Sequence, residues 1–140
     1  MMYRGSWILS YASMWFLTLA YLNNKTYNYI TLDSIAISSI GISSLVTHLP
    51  HVQPKFNKFD AYIYHICGTY LTISNADRPY ILWCAIITIL SSMYKPKSHY
   101  LVYNGDRFIP ILYHLLMIYI PALFGTYMIV KYNVLEEKMI

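Results

Sequence analysis

Two histidines, one aspartate and one serine hold most of the chemical potential of this chain. Ser44 and His48 are one helical turn apart, and Gly41, Ser44 and His48 follow the spacing that places residues on one helix face. Asp60, Tyr64 and Gly68 share a face on the next apolar stretch, and His114 lies early in the last one. Imidazole and carboxylate are the ligands of catalytic zinc, where three protein groups leave a position open for water. The pKa of that water falls toward about 7, which supplies hydroxide at neutral pH. These residue types therefore predict His48 and His114 as metal ligands, Asp60 as general base or partner to a histidine, and Ser44 as an orienting hydroxyl. A plainer alternative stands beside this one. In it the histidines are helix-end residues, Asp60 pairs with Lys58 at a solvated boundary, and Ser34, Ser38, Ser39, Ser43 and Ser44 are small residues that let helices approach. His51, His65 and His99 have no evident partner and belong to loops or interfaces.

The elements that must position these groups are written in the charge pattern. Stretches 5–24, 34–54, 61–76, 79–94 and 108–130 contain no Lys, Arg, Asp or Glu and are rich in Ile, Leu, Tyr and Trp. An ionised group at the centre of a membrane helix costs about 2.5–3.5 kcal/mol on insertion scales. Charges sorted this way predict an all-α, multi-pass transmembrane helical bundle of about five helices, with lipid as the solvent for most of it. The 140 residues are 57% apolar and 11% charged, and five crossings of about 20 residues use nearly all of them. One bundle is expected, with no separate soluble domain.

Helices are predicted at about 5–22, 30–49, 59–74, 79–94 and 108–130. Asp33 sits at the start of the second, near the positive end of its dipole. Pro50 and Pro54 close that helix, because proline cannot continue one without losing a backbone hydrogen bond. Pro79 stands at the first turn of the fourth, and the last carries Pro110 and Pro121. The tail from Lys131 is too polar to span. The third and fourth helices are shorter than a bilayer requires, which implies local thinning or a hairpin that stops short. Many of the sixteen tyrosines fall near span ends, as an interfacial aromatic belt does.

Five crossings place the end of the second helix and the starts of the third and fifth on one side, so Ser44, His48, Asp60 and His114 are expected to converge at similar depth. That side carries Arg4, Lys55, Lys58, Lys95, Lys97 and Arg107, against Lys25, Arg78, Lys131 and Lys138 opposite. The positive-inside rule then puts the N-terminus in the cytosol and the C-terminus outside. Asn24-Lys25-Thr26 is a glycosylation triplet on the outer side, too close to the membrane to be compelling. The basic residues are scattered, with no basic helix face, so the net charge of +4 reflects topology and nucleic acid is not an expected partner. Cys67 and Cys84 sit in apolar stretches as small hydrophobes, and no CxxC or Cys/His run suggests a thiolate site. No A-x-A-like cleavage site follows Leu22, so the first stretch is expected to be a retained helix.

The run from Ser43 through Ile73 resembles the core of hemolysin III and the progestin/adipoQ receptors, in the wider superfamily that includes the alkaline ceramidases. The matching residues are Ser44 and His48 ending one helix, a basic loop, Asp60 opening the next, then Ile63-Tyr64 and Gly68-Thr69-Tyr70. Tyr113-His114-Leu115-Leu116-Met117 resembles the second half of the family's His-x-x-x-His motif, whose first histidine position is Pro110 here. The resemblance covers about a third of the chain, and the family has seven crossings. It implies an N-in helical bundle, a zinc site near the cytosolic face, and hydrolase-like or receptor-like action on lipid amides or lipid-derived ligands. Small size, abundant aromatics and Ser-rich helices equally suit a non-catalytic subunit packed among other membrane subunits. A transporter would need charged groups along a mid-membrane path, and the helix centres have none.

Overall fold

The computed structural model describes residues 6–48, 55–93 and 112–139. Among these residues the chain is all-helical and contains no strand. The helices are α1 (Ser6–Tyr27), α2 (Leu32–Thr47), α3 (Lys55–Ser74), α4 (Ile81–Met93) and α5 (Ile120–Met139). A π-helical turn, Leu115–Tyr119, runs directly into α5.

Local chemistry sets each boundary. α1 ends where Asn28 takes a left-handed φ of 60° and its N–H donates to the Asn24 carbonyl at 2.9 Å. α2 starts at Thr31, an extended residue whose hydroxyl accepts from the Ser34 N–H at 3.1 Å. Asp33 occupies its first turn, as the dipole favours. Between α3 and α4, Asn75 and Arg78 form a turn, and Tyr80, at φ 69°, redirects the backbone before its carbonyl accepts from Cys84.

Several boundaries differ from expectation. α1 runs to Tyr27 instead of stopping near Leu22, because Asn23 is buried and hydrogen-bonded within the bundle. The glycosylation triplet is therefore helical, with the Thr26 hydroxyl donating to the Leu22 carbonyl at 2.9 Å. α3 starts at Lys55, and Pro79 lies in the turn before α4 instead of in its first helical turn. The polar tail is also helical, since Asn133 faces the interior. Pro50, Pro54, Pro110, His51, His99 and the loop cations 95–107 lie outside the described residues.

α1 and α2 form the closest pair, and α5 packs on α1 and α4. Gly41 permits the first contact, since a Cβ there would lie 3.0 Å from Phe16 Cβ. Leu9, Phe16, Ile37, Ile40, Leu71 and Ile129 fill the centre. α3 packs on α2 but meets α4 only lightly.

At the end where α1 finishes, α2 begins and α5 finishes, a polar network ties the bundle. The Asn23 amide donates to Thr31 at 2.9 Å and Ser34 at 2.8 Å, and the Asn133 amide donates to Asn23 Oδ1 at 2.8 Å and Asp33 at 3.3 Å. Arg78 joins from the α3–α4 turn, donating to the Ile129 carbonyl, to Asn133 and to the Glu136 carboxylate. Among the described residues one stretch, Leu112–Glu136, is long and apolar enough to cross a membrane at 25 residues, whereas α2 and α4 are apolar but shorter.

Asn23→Leu keeps the volume but leaves Asn133, Thr31 and Ser34 without their shared partner. It is expected to cost about 1–3 kcal/mol in detergent-based unfolding. Exposed Lys25→Ala should stay within about 0.5 kcal/mol. Equal effects from the two would show that the network does not hold the helices together.

Candidate functional site

The opposite end of the bundle gathers the residues singled out from the sequence. Antiparallel threading brings the C-terminus of α2, the start of α3 and the π-turn together beside α1. Ser44 lies on the buried face of α2, and His48 caps that helix with its N–H donating to the Ser44 carbonyl at 3.1 Å. The rings of His48 and His114 have centroids 5.5 Å apart and meet edge to face. The Ser44 hydroxyl donates to Asp60 Oδ1 at 3.2 Å. All four side chains thus belong to one neighbourhood.

Three further residues, not singled out from the sequence as site residues, complete it. Ser43 donates to the same Asp60 oxygen at 2.8 Å, so neighbouring hydroxyls of one helix hold this carboxylate. Asp60 is therefore tied to α2 and is not merely a boundary partner of Lys58. Tyr119 lies against both histidines, 5.1 Å from His114 and 5.9 Å from His48 between centroids. Its hydroxyl lies 3.1 Å from Ser13 on α1. Ser13 donates to the Leu9 carbonyl at 2.8 Å, which leaves its lone pairs to accept from the phenol. Ser13 is fully buried and Tyr119 is 4% exposed.

The serines are thus divided in role. Ser39 bonds the Ile35 carbonyl of its own helix and Ser34 belongs to the distant network, while Ser43 and Ser44 face the site. His65 is exposed and touches only the ring of Tyr64 among the aromatic contacts described. Cys84 is buried and Cys67 partly so, both as free thiols.

The donor set can be tested against zinc. With a Zn–N bond of about 2.0–2.1 Å, the ion lies about 3.2 Å from an in-line imidazole centroid, so two imidazoles sharing a tetrahedral ion have centroids about 5.2 Å apart. The observed 5.5 Å is near that value and is equally the separation of an ordinary edge-to-face ring contact. Among the described residues no set of three or more His, Cys, Asp or Glu side chains is grouped to hold an ion. The three-ligand shell of a catalytic zinc is therefore not completed by these groups.

A cavity of about 210 Å³ lies among α3, α4 and α5, with Phe16 of α1 and Ile40 of α2 in its wall. Thr72, Thr88 and Thr126 line it, but each hydroxyl donates to a carbonyl one turn back in its own helix, at 2.6–2.8 Å. Their methyl groups remain, and the lining is mainly apolar. Tyr64 also lines the cavity, from α3.

No known protein family, curated protein or solved structure matches this chain.

Asp60→Asn retains a carbonyl oxygen for the two serine hydroxyls and should change stability little. Asp60→Leu removes their acceptor and is expected to cost about 1–3 kcal/mol by denaturant titration in mixed micelles. Similar behaviour of the two variants would show that the serines do not depend on Asp60.

Proposed function

We propose that this chain is a multi-pass integral membrane protein with a paired-histidine zinc site under one leaflet, related in plan to the hemolysin III and adipoQ-receptor superfamily. The supporting observation for the membrane setting is its inverted polarity. Ser10, Ser13, Asn23, Ser34, Thr88 and Asn133 are buried, while Tyr11, Trp15, Ile42, Ile66, Trp83 and Ile86 are exposed. In water this distribution would place large apolar surfaces against solvent and polar groups inside. In hydrocarbon it is the economical one, because polar side chains join helices and apolar ones face lipid.

By length three of the five elements reach across a bilayer, and among the described residues Leu112–Glu136 is the one that is also apolar enough. At 1.5 Å per residue, the 22 residues of α1 and the 20 of α3 span about 33 and 30 Å, and Leu112–Glu136 is longer still. The 16 residues of α2 and 13 of α4 reach about 24 and 20 Å, and require thinned bilayer or interfacial flanks. In this topology the N-terminus and the His48–His114 cluster share the cytosolic side.

His48 and His114 hold the ion in this proposal. Zinc, when bound, supplies a water acidic enough to ionise near neutral pH. Ser43 and Ser44 fix the orientation of Asp60 and keep its carboxylate available to accept a proton. The reaction class is hydrolysis of a lipid amide, or recognition of a related ligand by the same groups.

A second reading, a non-catalytic subunit of a larger membrane assembly, draws on α4. Leu82, Trp83, Ile86, Ile89 and Leu90 are exposed along it beside the gap to α3, a surface on which a neighbouring helix would pack.

Metal analysis of the detergent-purified chain decides between these readings. About one zinc per chain is expected, lost in the His48→Ala/His114→Ala double variant with folding retained. A folded wild-type chain without zinc that migrates only with other membrane proteins would favour the subunit. Full extraction of the chain by alkaline carbonate would remove the integral-membrane proposal altogether.

A further inference from the structure

The π-turn before α5 has a defined position. It begins one residue after His114, closes with the Ile120 N–H donating to the Leu115 carbonyl, and contains Tyr119 as its last residue. His114 and Tyr119 are five apart. On a regular α-helix, five residues rotate a side chain about 140° away from its starting face. A π-turn has about 4.4 residues per turn, and five residues then come back to within about 50°. The wider turn therefore accounts for two rings five positions apart lying 5.1 Å from each other.

Pro121 supplies the cause. It has no N–H to give the Met117 carbonyl, and its ring crowds that carbonyl. The regular ladder is interrupted there, and the backbone just before it widens. A proline that would otherwise only kink a helix instead sets the angular position of a phenol.

We propose that Tyr119, placed by the Pro121 π-turn, is a positioning residue that clamps His48 and His114 together and ties them to α1. Its ring touches both imidazoles, and its hydroxyl reaches Ser13 on α1. One side chain thereby joins α1, the His48 end of α2 and the start of α5. This proposal rests on the reading of His48 and His114 as a ligand pair, and its test separates the two.

The full chain is purified in micelles as wild type, Pro121→Ala, Tyr119→Phe and Tyr119→Leu, with the histidine rings isotopically labelled. In the metal-free state at fixed pH, the imidazole protons of His48 and His114 should show ring-current shifts from Tyr119. These shifts are expected to persist in Tyr119→Phe and to disappear in Tyr119→Leu and Pro121→Ala, with His65 unmoved. Pro121→Ala should melt no lower than wild type, because the helix regains a bond, so loss of the shifts in that variant reports a moved ring and not an unfolded chain. Cobalt(II) is the metal probe. Tyr119→Phe and Pro121→Ala are each expected to weaken its binding about tenfold or more, the scale of lost outer-shell support.

Imidazole signals unchanged in both Pro121→Ala and Tyr119→Leu would overturn the proposal. Wild-type cobalt affinity in Tyr119→Phe would overturn the contribution of the hydroxyl, whose partner is Ser13. If the wild type binds no cobalt, the zinc reading falls, and the metal-free spectra decide the positioning role by themselves. If Pro121→Ala does not fold, Tyr119→Leu carries the same comparison.

Discussion

The buried polar side chains that hold this bundle together find partners on other elements or on their own backbone, and that requirement organises the fold. A buried donor or acceptor without a partner costs more than the net gain of the bond it makes. Asn23 is the clearest case: it is fully buried in α1, and its amide is satisfied only by Thr31, Ser34 and Asn133. Those bonds fix α1 against α2 and α5 at one end. At the other end Ser13 and Tyr119 join α1 to the π-turn, and Ser43 and Ser44 with Asp60 join α2 to α3. Tyr113 adds α4 by donating to the Ser91 carbonyl at 2.9 Å.

The two ends use different chemistry for that task. The Asn23 end combines amides with a charged set, in which Arg78 meets Glu136 at 3.0 Å. Its donors and acceptors are occupied by one another, and it works as a fastening. The histidine end combines two imidazoles, a phenol and a carboxylate, with aromatic contacts in place of ion pairs. Between them the core is apolar, and the cavity beside Tyr64 opens where α3 and α4 diverge.

Part of the site was legible in advance because it depends on periodicity and direction alone. The one-turn spacing of Ser44 and His48, and alternating helix directions, suffice to send His48, Asp60 and His114 to one end of the bundle. Tyr119 escaped that logic because it lies five residues from His114, a separation that regular helices place on different faces. Pro121 was the available signal, as a helix-interior proline that must disturb the backbone before it. Ser43 escaped because adjacent serines on an α-helix point about 100° apart, and both reach Asp60 only since its carboxylate lies between them. Asn23, Asn133 and Arg78 resembled loop and tail polarity, because composition cannot distinguish a solvated amide from a satisfied buried one.

The amino-acid sequence by itself determined that this chain is helical, where its apolar stretches fall, and which residues share a helix face, since these follow from local geometry and the cost of placing charge in an apolar medium. Tertiary structure alone decided which polar groups meet. Hydrogen bonds between Asn23 and Asn133, or between Ser44 and Asp60, depend on distances across helices that no local pattern encodes. It also decided the orientation of Tyr119, because a π-turn forms only where the surrounding packing accepts a widened helix.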